Sequence, residues 1–319
     1  MTNFFSALKN YFQKAINFFK RVLKRKENDL SDLSRSNVTM IQTTPLSEDQ
    51  LKAVSFATVT LRPPQFLMGC GQSAGLQRDH NEDTIFFMSS ILADGVNDVP
   101  FGLCVVADGM GGHLNGEIAS GVAVRTVTRI LINKIYTHLL EINPDPMEES
   151  LQETIEHAVN EVQKSVVRYA PGGGTTLTIA LLLGEQVTIA HVGDSRAYFI
   201  YPDGRIQRLT KDHSLVQRMV DLEEITEAEA KNHPHRNVLL KAIGQSEPVY
   251  PDVQTHQIPK SGYMMLCSDG LWGVVPENDL YRSISSQSDP ALACKEMIEA
   301  ANKNGGPDNI SVILVKFQG

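Results

Sequence analysis

Runs of apolar, β-branched and aromatic residues recur from about residue 65 onward, and turn-forming residues such as glycine, asparagine and proline separate them. This pattern is typical of β-strands joined by tight turns. Connections as short as Leu183-Gly184-Glu185 favour antiparallel hairpins, because parallel neighbours need long crossovers. The predicted strands are residues 65–71, 84–89, 101–107, 176–183, 186–192, 196–201, 263–268 and 311–317.

Apolar residues spaced three and four apart predict helices between the strands. Two long helices, at 116–139 and 147–169, follow each other across a proline-containing turn at 143–146. Shorter helices are predicted at 213–220, 276–286 and 290–302. Because each helix must bury its apolar face, paired helices beside antiparallel strands predict an α+β fold of sheets covered by helical layers.

The first 26 residues carry the pattern of an amphipathic helix with a basic face. Its apolar positions are Phe4, Phe5, Leu8, Tyr11, Phe12, Ala15, Ile16, Phe19, Val22 and Leu23. Residues 27–54 predict a linker in which a short helix opens at Ser47, and the main domain is predicted at 55–319, beginning with a strand at 54–61. Within this domain, the polar segment 213–244 predicts an inserted lobe.

Charge is distributed unevenly along the chain. The 319 residues have a net charge of −8, yet residues 1–26 carry seven lysines and arginines and no acid, so residues 27–319 sum to −15. An acidic body argues against nucleic acid as the main partner. It suits a carboxylate-rich site that a metal ion neutralises.

The cysteines and the hydropathy limit the cellular setting. Cys70, Cys104, Cys267 and Cys294 lie far apart, mostly in apolar runs, and show neither the CxxC spacing nor a nearby histidine of a zinc site. They are interpreted as reduced core residues, which predicts a cytoplasmic protein. No apolar stretch approaches the ~20 residues of a membrane-spanning helix.

Four aspartates stand where an apolar run meets a glycine or an asparagine: Asp108, Asp194, Asp269 and Asp308. A single Asp-Gly beside a strand is usually a hairpin turn. Four such positions, joined by strand-like sequence, instead predict separate strands that bring carboxylates to one place. Mg²⁺ and Mn²⁺ prefer an all-oxygen ligand shell. The sequence therefore predicts a metal-dependent hydrolase.

Six short motifs occur in order along the chain: Arg78-Asp79-His80-Asn81-Glu82-Asp83, Asp108-Gly109-Met110-Gly111-Gly112, Gly174-Thr175-Thr176, Gly193-Asp194-Ser195-Arg196, Ser268-Asp269-Gly270 and Gly306-Pro307-Asp308-Asn309. Taken together, they resemble the metal-dependent protein phosphatases of type 2C, in their bacterial form, over residues 65–319. The resemblance implies an αββα sandwich of two mainly antiparallel sheets, with the metal site at one end between them. It also implies hydrolysis of phosphoserine and phosphothreonine in protein substrates.

The resemblance further implies a ligand set for Mn²⁺ or Mg²⁺. Asp108 would bridge two ions, and the carbonyl of Gly109 would complete their shell. Asp269 and Asp308 would ligate one of the ions. Two such ions activate a water molecule that attacks phosphorus in line.

The remaining site residues also follow from the resemblance. Glu82 and Asp83 would serve the metal site directly or through water, and Asp194 would hold a third ion together with Asp269. Arg78 would bind the phosphate, because its planar fork suits two phosphate oxygens. The alternative for Arg78 is a surface salt bridge with Asp79 or Glu82.

The sequence leaves the proton donor to the leaving group open. Animal-type members carry a histidine after the Asp-Gly pair, whereas this chain has Met110. His80 and His113 lie nearby in sequence but are interpreted as outer or surface residues. A water molecule on the metal is the alternative donor. The segment from His213 to Gly244 resembles the flap that borders the family's substrate groove.

Three other functions are kept as alternatives: a phosphatase-like regulator without turnover, a hydrolase of small phosphoesters or nucleotides, and a membrane-tethered scaffold. Residues 1–26 fit none of the family motifs. Their paired apolar residues differ from a signal peptide, and their lysine content differs from a mitochondrial presequence. Attachment to an anionic membrane surface is favoured, with a partner protein's groove or the acidic body as alternatives.

Overall fold

The computed structural model describes residues 65–93, 98–111, 114–141, 146–245 and 248–318. The helix predicted at 1–26, the linker at 27–54 and the strand at 54–61 lie outside these residues. Two compact units are distinguished. One comprises residues 1–62 and 139–146, of which 139–141 and 146 are described; the other, residues 63–138 and 147–319, contains the sheets and the candidate site.

Twelve strands lie within the described ranges, and every strand pairing among them is antiparallel. They are β1 (Gln65–Ser73), β2 (Thr84–Ala93), β3 (Asp98–Ala107), β4 (Gly109–Met110), β5 (Gly174–Thr175), β6 (Leu177–Leu183), β7 (Gln186–Val192), β8 (Arg196–Ile200), β9 (Ile206–Arg208), β10 (Asp252–Gln257), β11 (Ser261–Cys267) and β12 (Ile310–Gln318). The first large sheet has the order β1-β12-β11-β8-β9, and the second has the order β10-β7-β6-β3-β2. Strands β4 and β5 form a small separate sheet.

The helices of the described ranges lie mostly where the sequence predicted them. They are α1 (Leu114–Leu131), which continues through a π-helical turn (Ile132–Tyr136) into α2 (Thr137–Leu139), α3 (Leu151–Tyr169), α4 (Leu215–Asp221), α5 (Glu227–Lys231), α6 (Asp269–Trp272), α7 (Glu277–Ser286) and α8 (Pro290–Lys303). Helix α3 begins four residues later than the predicted residue 147, because Ser150 and Glu153 form a reciprocal capping box there. No helix among the described residues is long and apolar enough to cross a lipid bilayer.

Two apolar layers result from the period-two alternation of the strands. In β8, Phe199 joins the core between the two sheets, whereas Tyr198 and Ile200 join the core under α6, α7 and α8. Strand β12 divides in the same way between Ile313 and Leu314. On the other side, α1 packs against β2, β3 and β6. The predicted α+β sandwich with helical layers is therefore confirmed.

Four strands of the described ranges had not been predicted: the two-residue strands β4 and β5, and the edge strands β9 and β10. Strand β10 is the polar segment DVQTHQ at the edge of the second sheet, and it pairs only with β7. Strand β9 has three residues and forms an edge of the first sheet, beside β8. Backbone hydrogen bonds hold such edge strands while their side chains stay partly in water, so they need no apolar pattern. The four cysteines are free, and all but the half-buried Cys70 are buried.

Candidate active site

The four strand-end aspartates are supplied by both large sheets. Asp108 follows β3 and Asp194 follows β7, in the second sheet. Asp269 follows β11 as the first residue of α6, and Asp308 precedes β12, in the first sheet. Burial is the main cause of the raised pKa of Asp108, and the charges of Asp83 and of the other three strand-end aspartates raise it further. The fold thus brings together the four carboxylates at which the sequence placed the site.

Burial and like-charge repulsion raise the pKa values of the carboxyls in this cluster. Burial is the larger cause for Asp83, whose pKa rises to about 7, and for Asp269, whose pKa rises to about 6. Burial first and neighbouring carboxylates second also raise the pKa values of Asp108 and Asp194 well above the usual range. The neighbouring Asp108 side chain acts in the other direction and offsets part of the rise in the pKa of Asp269.

The backbone around Asp108 is held by two threonines of the predicted Gly174-Thr175-Thr176 motif. Thr176 Oγ1 accepts a hydrogen bond from Asp108 N at 2.9 Å, and Thr175 Oγ1 donates to Asp108 O at 2.9 Å. The next residue must be glycine, because a Cβ on Gly109 would lie 2.3 Å from the carbonyl oxygen of Gly116. These two threonines therefore support the site itself.

Asn309 organises the loop that carries Arg78, Glu82 and Asp83, a role that the sequence reasoning missed. Its Oδ1 accepts from Glu82 N at 2.8 Å, and its Nδ2 donates to the carbonyl oxygens of His80 and Ala74 at 2.8 and 3.0 Å. Asn309 is 5% exposed. The available signal was a polar amide directly before an apolar strand, since a buried amide must find hydrogen-bonding partners.

Ser268 fixes the carboxyl group of Asp83. Its hydroxyl donates to Asp83 Oδ2 at 2.8 Å and accepts from Ser311 N at 2.9 Å. The other oxygen, Asp83 Oδ1, is buried without a hydrogen-bonding partner, as is Asp269 Oδ1. Two unsatisfied anionic oxygens at the centre of the cluster mark it as a place for a positively charged ligand.

Arg78 lies beside the carboxylate cluster, with its side chain 53% exposed. Its Nη2 atom donates to Asp308 Oδ2 at 2.8 Å. The alternative prediction, a salt bridge with Asp79 or Glu82, named the wrong partner; Glu82 instead contacts His80, with 3.1 Å between Oε1 and Nε2. The half-exposed guanidinium therefore has donors that still face solvent next to the buried acids.

The donor set fits a hard divalent cation. Carboxylate and carbonyl oxygens are the ligands that Mg²⁺ and Mn²⁺ prefer, and raised carboxyl pKa values show how poorly these charges are compensated by protein groups alone. Among the residues that the structure describes, no three acidic, histidine or cysteine side chains stand in a finished metal shell. The fit rests on the chemistry of the donors and on the two orphaned oxygens.

The turn that carries Asp194 is packed against an aromatic and cationic cluster. Trp272 Nε1 donates to Asp194 O at 3.0 Å, and the guanidinium of Arg196 lies 3.4 Å from the centre of the Trp272 ring. Arg196 also forms a forked ion pair with Asp212, at 2.9 Å from Nε and 2.6 Å from Nη2. Trp272 thus supports the turn that carries Asp194.

The polar segment 213–244 contains α4 and α5 and is closed by backbone hydrogen bonds between its ends. Leu240 N donates to His213 O at 2.7 Å. At its far end, Ile243 and Thr175 exchange two backbone hydrogen bonds of 2.9 Å, which joins the segment to the small sheet beside Asp108. Met110, which replaces the histidine of animal-type members, lies 3.3 Å from Gln245 Nε2 through its sulfur.

A helix-covered sandwich of two antiparallel sheets with a carboxylate cluster and an arginine at one end defines a metal-dependent hydrolase of phosphate esters. The family described as Protein phosphatase 2C matches residues 70–314. The chain therefore belongs to the protein phosphatase 2C family. As a member of that family it is a metal-dependent serine/threonine protein phosphatase, with Mn²⁺ or Mg²⁺ as cofactor.

Bacterial relatives cover the same part of the chain. The chain is 38% identical over 248 residues to the serine/threonine phosphatase stp of Listeria monocytogenes serovar 1/2a, an alignment that spans 76% of this chain and 92% of the relative. It is 32% identical over 243 residues to the serine/threonine protein phosphatase PstP of Mycobacterium tuberculosis H37Rv, across 75% of this chain and 43% of PstP. The first residues of the chain lie outside the family match.

Solved structures show the same fold. The phosphatase Stp1 of Staphylococcus aureus superposes with a TM-score of 0.65 at 29% identity, over 79% of this chain and 95% of Stp1. The catalytic domain of PstP, solved in complex with two manganese ions, superposes with a TM-score of 0.62 at 26% identity, over 80% of this chain and 100% of that domain.

Proposed function

We propose that the carboxylate cluster binds two divalent cations, with Asp108 between them. The Gly109 carbonyl, Asp269 and Asp308 supply further oxygens. Support comes from the convergence of these residues from both sheets and from the orphaned oxygen of Asp269. The structure of PstP with two manganese ions supports the number.

The surrounding acids complete the proposed site. Glu82 and Asp83 serve the cations directly or through water, and Ser268 orients Asp83. Asp194 holds a third cation together with Asp269, whose charge is the second largest cause, after burial, of the raised pKa of Asp194. A cation in this position would relieve the repulsion between the two carboxylates.

We propose that the enzyme removes phosphate from phosphoserine and phosphothreonine in proteins, and that Arg78 binds the phosphate. The observation that carries this proposal is the place of Arg78, half-exposed beside the buried acids and 2.8 Å from Asp308. A phosphate dianion that approaches the cluster meets carboxylates, so it needs positive charge at the entrance. Arg78 supplies that charge in a planar, two-pronged form.

In catalysis, bound divalent cations act as Lewis acids and activate water for attack on phosphorus. The protein's own side chains orient the phosphate ester and compensate its negative charge. Arg78 turns the ester toward the cluster, and Asp308 limits the rotation of the guanidinium through their hydrogen bond. Asn309 keeps the Arg78 loop against β12 through its three hydrogen bonds. Met110 carries no proton for the leaving oxygen, so another group must supply it, and we propose a water molecule for this role.

Arg78→Ala is expected to lower kcat/KM for a phosphothreonine peptide by about 10- to 100-fold, because a hydrogen bond to a charged group contributes about 1.5–3 kcal/mol. Arg78→Lys restores the charge but not the fork and is expected to recover only part of the loss. Steady-state kinetics at saturating Mn²⁺ measures both variants.

Arg282→Lys is the matched control for this experiment. Arg282 forms an exposed ion pair with Asp279 at 2.9 Å on α7, and its own side chain is 77% exposed. This control should retain wild-type kinetics, since surface pairs contribute little. Wild-type kcat/KM in Arg78→Ala would contradict the role given to Arg78. Nucleotides that compete as well as phosphopeptides for the wild-type enzyme would contradict the proposed protein substrate.

We further propose that residues 1–26 attach the enzyme to an anionic membrane surface. The support is the sequence alone: seven basic residues, no acid and a phenylalanine-rich apolar stripe in one helical period. Basic amphipathic helices of this kind lie in the membrane interface. The acidic remainder of the chain, at −15, would favour an orientation that keeps the catalytic domain away from the lipid.

Removing residues 1–30 is expected to lower the fraction that pellets with phosphatidylserine-containing vesicles by at least about tenfold, since each surface lysine or arginine contributes about 1 kcal/mol. Phe12→Glu in the full chain should have a similar effect while retaining every basic residue. Zwitterionic vesicles provide the control. Equal pelleting of the full and shortened chains would leave a protein partner as the better interpretation.

A further inference from the structure

His213 is a buried histidine that has no part in the proposed reaction. It precedes the N-cap Ser214 of α4 and opens the inserted segment 213–244, and its side chain is 8% exposed. Two hydrogen bonds join it to one residue of the neighbouring turn. His213 N donates to Gly193 O at 2.7 Å, and Gly193 N donates to His213 Nδ1 at 3.1 Å. Both backbone groups of Gly193 are therefore held by the same histidine.

Gly193 needs such support because its backbone is unusual. Its φ angle is +111°, and a Cβ at this position would lie 2.6 Å from Thr176 Cγ2. Only glycine adopts this conformation readily. Because glycine also has access to many other conformations, hydrogen bonds are needed to hold it in this one. The adjacent residue is Asp194, whose carbonyl accepts from Trp272 at 3.0 Å. The direction of the Asp194 side chain thus depends on how firmly the Gly193 peptides are held.

The opposite edge of the imidazole faces a carboxylate. His213 Nε2 lies 3.1 Å from Asp252 Oδ2, at ion-pair distance although not aligned as a regular hydrogen bond. Asp252 also contacts Lys241, with 3.2 Å between Oδ1 and Nζ. Because Nδ1 accepts the Gly193 amide, the ring proton of neutral His213 lies on Nε2, toward Asp252. Asp252, the first residue of β10, therefore contacts the edge of the ring that faces away from Gly193.

We propose that His213 is a positioning residue that fixes the turn bearing Asp194 in the orientation required for cation binding. The inference rests on the proposed metal role of Asp194 and deepens it. Outer partners of metal ligands act in this way: they hold the ligand's direction without touching the ion. Since His213 also opens the inserted segment, it joins that segment physically to the turn that carries Asp194.

Isothermal titration calorimetry with Mn²⁺ tests this proposal on the full-length enzyme. Asp194→Asn is expected to weaken the weakest Mn²⁺ binding step. His213→Phe, which retains the ring volume but removes the acceptor, is expected to weaken the same step by about 10- to 100-fold. His213→Asn places an amide acceptor at the position of Nδ1 and should remain within about threefold of wild type by the same reasoning.

A double-variant comparison separates positioning from a general structural effect. If His213 acts through Asp194, the double variant Asp194→Asn/His213→Phe binds no more weakly than Asp194→Asn alone. Additive losses would overturn the proposal. Should His213→Phe fail to show cooperative thermal unfolding in chelator, His213→Gln replaces it, because the longer amide carries its acceptor away from Gly193.

The outcomes distinguish the metal role of Asp194 from the positioning role of His213. Weaker binding in Asp194→Asn with wild-type binding in His213→Phe overturns only the positioning role. Wild-type Mn²⁺ binding in Asp194→Asn overturns the metal role of Asp194, and the positioning role with it. A pH series of kcat in His213→Asn that follows wild type, beside a lowered kcat in His213→Phe at unchanged KM, would support positioning independently of calorimetry.

Discussion

Asp108→Asn is expected to lower kcat/KM for a phosphothreonine peptide by more than about a hundredfold, because the loss of even an outer partner of a metal ligand costs about 10- to 100-fold. The fold should survive, since Thr175 and Thr176 hold the backbone of Asp108 and not its carboxyl group. The amide has nearly the shape of the carboxyl, so packing is retained. Peptide kinetics at saturating Mn²⁺ measures the loss.

The same substitution is expected to stabilise the protein in chelator at neutral pH. Burial and the charges of Asp83, Asp269 and Asp194 act against the Asp108 carboxylate, and asparagine removes that cost. A gain of 1 kcal/mol shifts the unfolding midpoint of a domain of this size by about 2–4 °C. Activity and stability should therefore change in opposite directions.

Asp289→Asn is a suitable control for Asp108→Asn. Asp289 caps α8 by accepting from Ala291 N at 2.9 Å, and asparagine caps a helix equally well. Both activity and midpoint should equal those of wild type. A fully active Asp108→Asn enzyme would remove Asp108 from the metal site, and an unfolded one would show that its carboxyl group is structural.

Much of the site could be predicted because its aspartates stand at the ends of apolar strands. Asp108, Asp194, Asp269 and Asp308 are local features, since each is readable from an apolar run and the turn beside it. The α+β layers were predictable for the same reason, because the alternation that separates Phe199 from Tyr198 in space is present in the sequence. Antiparallel pairing then explains why an aspartate after one strand lies near an aspartate before the next: Asp269 follows β11, and Asp308 precedes its antiparallel neighbour β12.

The missed features depend on partners far away in the chain. Arg78 binds Asp308, 230 positions away, rather than its acidic neighbours. Asn309 serves a loop that begins 235 positions earlier, at Ala74. The polar strand β10 exists because β7 offers it an edge. Such choices among several polar partners are made by tertiary packing, and no local pattern distinguishes them.

The second large effect expected of this protein links stability, pH and metal. In chelator, the free energy of unfolding should fall as the pH rises from about 5 to about 8, by up to about 1.4 kcal/mol per pH unit for each proton released. The cause is the buried acid cluster, in which the pKa of Asp269 rises to about 6 and that of Asp83 to about 7. Urea unfolding across this range measures the slope.

The sign follows from where the protons are held. The ordinary value for aspartate is 3.8, so between that pH and about 7 the folded protein retains protons that the unfolded chain has lost. The stabilisation is complete below the unfolded value and disappears as the pH rises through the folded values. His191 acts in the opposite sense, because burial lowers its pKa to about 4 and favours the folded state at higher pH.

Asp269→Asn isolates the contribution of the acids, since it removes one proton site and leaves His191 in place. Its stability should decline less with rising pH than that of wild type. Saturating Mn²⁺ should flatten the wild-type slope as well, because cations and protons compete for the same oxygens and binding releases the protons. Apparent Mn²⁺ affinity must then increase with pH over the same interval. If neither Asp269→Asn nor Mn²⁺ alters the pH dependence of the free energy of unfolding, the titrating groups lie outside the metal site.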